Sequence, residues 1–223
     1  MKIKLRILTL SLLMTIGTFA QSEIKYEGET INRIDKDGKK YGVWKLFDKD
    51  KGIMIVMKME NDAFASNIDY YRNEQRIVSQ DKTDPGKYHF YLDSKPVPVK
   101  IIVENDKRIV VQENGKALDE KSQEAFFSVL GVKMTYYGGE TALRKFLINA
   151  SSGDWDNSAS VQLRWTIDKN GGVENLKVIK SDNEALNEKA IQIIQKMPRW
   201  QPGFSNGRFL KGMYTTGIRF MAG

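Results

Sequence analysis

The sequence predicts an α+β protein: a mainly antiparallel β region, then a smaller domain ordered helix, β-hairpin, helix, strand. Three observations carry this. Short β-branched and aromatic runs alternate with turn signals from about residue 24 to residue 115. Val161, Leu163, Trp165 and Ile167 alternate with Gln162, Arg164 and Thr166, the pattern of a half-buried strand. Leu186, Ala190, Ile193, Ile194 and Met197 then recur at helical spacing before a last apolar run, Gly212 to Met221.

The elements follow in chain order. Lys2, Lys4 and Arg6 precede a mostly apolar run, Ile7 to Phe19, which ends in Thr18-Phe19-Ala20. A charged segment, an apolar segment and small residues at the cleavage positions form a secretory signal, predicted to span residues 1–20 and to be cut after Ala20. The run is shorter than the roughly 20 residues that a spanning helix needs. An uncleaved anchor is the alternative. The formal charge of the 223-residue chain is +7, of which three charges lie in the signal. The remaining +4 is too small to point to nucleic acid. The chain has no cysteine, which excludes a disulfide framework, thiolate metal sites and lipid attachment through cysteine.

Residues 21–116 are expected to form the β domain. Its strands are Val43 to Phe47, Ile53 to Met57, Asn67 to Tyr71, Tyr88 to Leu92, Val99 to Val103 and Arg108 to Val111, separated by turn residues such as Lys36-Asp37-Gly38, Asp50-Lys51-Gly52 and Asn114-Gly115. Pro96 and Pro98 mark a bend or an edge. The stretch Asp37 to Asp48, with Gly38, Gly42 and Trp44, resembles the unit of MORN-type repeats, in which hairpins stack as a ribbon. A small antiparallel sheet with Trp44 at its core accounts for the same residues.

Residues 117–133 are expected to hold a connector helix, with Ala125, Phe126, Val129 and Leu130 on one face and Gly131 at its end. Residues 134–223 form the second domain. Leu143, Phe146 and Leu147 place an amphipathic helix over Glu140 to Ala150. Asn170-Gly171-Gly172 turns the first strand into the second, Val173 to Ser181. Ser181, Asp182 or Asn183 caps the next helix, and Pro198 ends it. Trp200 stands between Pro198 and Pro202. It either closes the corner between helix and last strand or presents an aromatic face to a partner.

These C-terminal residues resemble the TonB C-terminal domain family. The resemblance rests on Tyr137 to Leu147, on Val161 to Ser181 with its Asp168 to Val173 turn, and on Met197-Pro198-Arg199-Trp200-Gln201-Pro202-Gly203 followed by Asn206-Gly207-Arg208. It implies a periplasmic α+β domain that receives an extended segment of an envelope or outer-membrane protein beside its last strand, by β-augmentation. Carried onto this chain, the partner-binding residues are Lys211, Tyr214, Thr216 and Ile218 of the last strand, with Trp200 and Arg199. Thr216 would then offer a backbone donor to the partner. Homodimerisation through the same strand is a second outcome of an unpaired edge. The alternative reading is an energy transducer for outer-membrane receptors with an uncleaved N-terminal anchor. The chain has only 5 prolines and no long Pro/Lys-rich spacer, and Gly217 stands where the family carries a proline.

No enzyme motif is present. The single histidine, His89, lies in a strand-like run with no nucleophile beside it. Asp154, Asp156 and Asn157 lack the other ligand positions of a calcium loop. No catalytic residue, metal or cofactor is implied.

Overall fold

The structure is a computed structural model that describes residues 22–92, 94–153, 155 and 158–221. The expected signal segment, and Asp154, Asp156 and Asn157, lie outside the described residues.

Ten strands run in a meander: β1 Ser22–Tyr26, β2 Glu29–Ile34, β3 Lys40–Asp48, β4 Ile53–Glu60, β5 Ala63–Phe64, β6 Ile68–Arg72, β7 Gln75–Gln80, β8 Lys87–Leu92, β9 Lys95–Glu104 and β10 Lys107–Gln112. Each pairs antiparallel with its neighbour, in the order β1-β2-β3-β4-β6-β7-β8-β9-β10, with β5 attached to β4. Several hairpins close through two consecutive positive-φ residues: Glu27-Gly28, Asn61-Asp62, Asn73-Glu74 and Asn105-Asp106. That is the geometry of the primed turns, whose twist matches the twist of the strands they join. Asparagine tolerates the left-handed region better than most residues, so it serves here without a glycine. Pro96 and Pro98 sit inside β9, paired with Tyr91 and His89 of β8. On the opposite side β10 reaches only to Val99, so neither imide faces a partner strand and the segment is an edge there.

One face of this sheet is apolar because its strands alternate. Ile53, Ile55, Met57 and Met59 of β4 point inward with Trp44, Leu46, Tyr70, Val78 and Phe90. Helix α1, Glu120–Val129, covers part of that face with Phe126 and Val129. Asp119 caps it by accepting from the Ser122 backbone N–H at 2.8 Å. The segment expected as a connector is therefore the lid of the first core.

The second unit begins with the short strand β11, Gly131–Val132, and helix α2, Gly139–Ser151. Strands β12 Ala159–Ile167 and β13 Val173–Ser181 form the expected hairpin. A 3₁₀ turn, Glu184–Leu186, capped by Asn183, leads into helix α3, Asn187–Gln195. A hairpin unforeseen as strands, β14 Gly203–Ser205 and β15 Arg208–Leu210, turns at Asn206-Gly207 and pairs with β11. The chain closes with β16, Gly212–Phe220. A three-stranded sheet in the order β13-β12-β16 carries α2 and α3 on one face.

The β14–β15 hairpin crosses the boundary expected near residue 134. Phe204 is buried in the first core and Phe209 packs against it, edge-on to Trp44 at 5.3 Å. The first core thus contains side chains from both halves of the sequence, whereas the second is built from residues 134–220.

Candidate partner-binding edge

β12 is the central strand of the small sheet, so β13 and β16 each keep one edge unpaired within it. The ladder fixes which backbone groups of β16 are free. Asp168 donates to Gly172 and Ser160 accepts from Asp182, so the even-numbered residues of β12 bond toward β13. The odd-numbered ones bond toward β16, where Val161 opposes Ile218, Leu163 opposes Thr216 and Trp165 opposes Tyr214. Backbone direction alternates along a strand. The N–H and C=O groups aimed at the free edge are therefore those of Met213, Thr215, Gly217 and Arg219. Thr216, expected to offer its donor to a partner, is held by the ladder to β12.

Side chains sort the same way. Met213, Thr215, Gly217 and Arg219 are exposed on the solvent face, Met213 at 67%. Tyr214, Thr216, Ile218 and Phe220 turn toward the helices. Ile218 is 1% exposed, so it packs the core and cannot touch a partner. Tyr214 donates through its hydroxyl to Glu140 of α2, 2.9 and 3.0 Å from the two carboxylate oxygens. Burial, then that bond, pushes its pKa up to about 12. Lys211 lies just before the strand, exposed and paired with Glu174 at 2.6 Å. Beside the free edge runs a groove of about 280 Å³, with Arg144, Leu147 and Ile148 of α2 on one side and Thr216, Gly217 and Arg219 on the other.

Trp200 and Arg199 play structural parts. Trp200 is 1% exposed, its ring 4.8 Å from that of Tyr214, 5.4 Å from Tyr136 and 6.0 Å from Trp165. It closes the corner and offers no face to a partner. Its backbone N–H donates to the Gly171 carbonyl at 2.8 Å. Gly171 has φ of +86°, and a β-carbon there would overlap the Trp200 carbonyl oxygen, so the turn requires glycine.

Arg199 points into the seam between the two units. Its guanidinium donates to the carbonyls of Asn170, at 3.0 Å, of Ser22, at 3.4 Å, and of Asn32. Among the described residues no carboxylate pairs with it, and burial works against its charged form. Beside it Tyr137 accepts from the Asn32 side chain, and burial pushes the phenol up to about 12.

Gln201, next in the same motif, performs a different task. β2 pairs with β3 only at Arg33 and Ile34, because Asn32, with φ of +53°, turns the chain away. That leaves Lys45 and Phe47 of β3 without a neighbouring strand on the side away from β4. Two carboxamides take its place. Asn32 accepts from the Lys45 N–H at 2.7 Å and donates to its carbonyl at 2.9 Å. Gln201 accepts from the Phe47 N–H at 2.7 Å and donates to its carbonyl at 2.8 Å. A primary amide carries the same donor and acceptor as a peptide unit, so each stands in for one residue of a missing strand. Asn32 and Gln201 are 0% and 1% exposed.

Sequence reading found the last strand but chose its inward-facing residues. The period-two alternation of Gly212 to Phe220, with Thr215, Gly217 and Arg219 between the more buried positions, carried the signal for the outward set. Nothing local marked Asn32 or Gln201, since their partners lie 13 and 154 residues away.

No curated protein and no solved structure matches the chain. The family-model match leaves out the stretch resembling MORN-type repeats. It covers the hairpin β12–β13, the tryptophan corner and the free-edged last strand: residues 156–221 match the family model for the Gram-negative bacterial TonB protein C-terminal.

Proposed function

We propose that the protein is a non-enzymatic interaction module of the cell envelope that receives an extended segment of another envelope protein at the free edge of β16. The observation that carries this reading is the unpaired backbone of Met213, Thr215, Gly217 and Arg219 beside the α2 groove. A strand added there gains a backbone ladder for affinity, and its alternate side chains meet the groove for selection. Each added backbone bond contributes about 0.5–1.5 kcal/mol net. The similarity of residues 156–221 to the TonB C-terminal domain supports the same mode and a periplasmic location. On this reading residues 1–20 are a cleaved export signal. Among the described residues no helix is long and apolar enough to cross a membrane.

The test is a photoreactive residue in place of Met213, exposed on the same edge, crosslinked in the native envelope and read by mass spectrometry. The expected result is one dominant partner segment whose capture falls in Thr215→Pro, which loses the donor aimed at the edge. Capture of a second copy of this chain assigns the edge to self-association. Capture that is unchanged in Thr215→Pro contradicts strand addition.

A further inference from the structure

At the Asn170 turn, which Arg199 also holds, a second feature stands apart from the β16 edge. It is an open cleft of about 750 Å³ between the β14–β15 hairpin, the Asn170 turn and the start of β3. Its wall is aromatic: Phe64 and Phe209 lie stacked, 6.5 Å apart and 11° from parallel, and Leu210 is 44% exposed at the rim.

The remaining lining is basic. Lys40, Lys169, Arg208 and Lys211 all face the cleft, against the single carboxylate of Asp62. Asp62 pairs with Lys40 at 3.3 Å and Lys211 pairs with Glu174. Lys169 and Arg208 have no ion pair among the described residues; Asp168, the other carboxylate of the turn, accepts from the Asn170 and Gly172 backbone N–H groups, so two positive charges of the lining are unpaired.

Lys40 is the unusual member. It is 6% exposed, with its ammonium 4.7 Å from the Phe209 ring centre and 5.6 Å from that of Trp44. An ammonium has three donors. Asp62 and the Asn170 side-chain oxygen accept two of them, and among the described residues no acceptor takes the third. A buried ammonium with one donor left over favours a further acceptor in the cleft.

We propose that this cleft binds a phosphate monoester carried on an apolar group. A phosphate monoester has a charge of about −1.5 to −2 at neutral pH and three acceptor oxygens. It balances the two uncompensated cations, and its oxygens can take the free Lys40 donor together with those of Lys169 and Arg208. The apolar group lies on Phe64, Phe209 and Leu210. Ligand sites favour such junctions between structural units, where apolar walls meet a few convergent polar groups. The site does not depend on strand capture: Thr215→Pro should leave it unchanged.

The experiment titrates the full chain with dihexanoyl phosphatidic acid, inorganic phosphate and dihexanoyl phosphatidylcholine, by calorimetry and by amide chemical shifts. The expected order is phosphatidic acid tightest, inorganic phosphate weaker and phosphatidylcholine without effect, with shifts at Lys169, Gly207 and Leu210. Lys169→Gln with Arg208→Gln, both exposed positions, should weaken phosphatidic acid at least about tenfold and leave the thermal midpoint unchanged. Equal affinity for inorganic phosphate would overturn the apolar half of the proposal and leave a free-phosphate site. Equal binding of the two lipids, absence of binding, or unchanged affinity in the double variant would overturn it entirely.

Discussion

Two strand edges in this molecule meet the same physical problem with opposite solutions. The outer edge of β3 is sealed: Asn32 and Gln201 bond the amide and carbonyl of Lys45 and Phe47 as a neighbouring strand would. The outer edge of β16 has no such cover, and Met213, Thr215, Gly217 and Arg219 keep their backbone groups free. An unpaired edge invites another chain. Sealing one and leaving the other keeps an added strand off β3 and leaves the β16 edge beside the α2 groove open to one. The difference also explains the motif around Trp200. Its tryptophan builds the second core, and the arginine and glutamine on either side reach back to hold the first unit.

The largest effect that would break this picture lies at the tryptophan. Trp200→Ala should destabilise the protein by about 3–5 kcal/mol, because a fully buried ring leaves a cavity that its neighbours cannot fill. Denaturant midpoints measure this. A loss below about 1 kcal/mol would mean that the corner is not packed as described.

That corner was partly legible in the sequence. Two prolines around Trp200 made a rigid turn a sound expectation, and the alternating run Val161 to Ile167 located the central strand. The rest was hidden for physical reasons. Gln75 to Gln80 is polar at both ends and forms a strand because Asn73-Glu74 turns it back onto β6. Gly203 to Leu210 reads as a loop because its apolar residues, Phe204 and Phe209, pack against a core built about 150 residues earlier. Long-range pairing leaves no local period to detect.

Two proline substitutions one residue apart sharpen the comparison next. Thr215→Pro removes a donor aimed at solvent, whereas Thr216→Pro removes a rung to Leu163. The second should cost about 2–3 kcal/mol more than the first. Thermal or denaturant unfolding of the pair decides it, and equal costs would mean that the ladder faces the other way.

Opening the sealed edge is the converse test. Gln201→Ala strands the Phe47 amide and carbonyl and should cost about 1–3 kcal/mol. It should also create concentration-dependent self-association, visible by sedimentation, because β3 then carries an unpaired edge. A variant that stays monomeric at every concentration would show that side-chain cover is not what keeps β3 from pairing.

The smallest effect concerns pH. Tyr137 lies beside Asn32 with its pKa raised from 10.0 to about 12 by burial. The unfolded chain ionises first, so this contribution is complete below pH 10 and is lost as the pH rises toward 12. Tyr137→Phe should remove that part of the alkaline loss. Identical slopes for the two proteins above pH 10 would place the phenol in water.

The measurement that bears most directly on the contrast is residue-resolved amide exchange in the unliganded chain. Lys45 and Phe47 should be protected to nearly the same degree as the rungs between β3 and β4. Met213, Thr215, Gly217 and Arg219 should exchange orders of magnitude faster than Tyr214, Thr216 and Ile218 in the same strand. If Lys45 and Phe47 exchanged as fast as Thr215, or if protection along β16 did not alternate, one sealed edge and one open edge would not describe this protein.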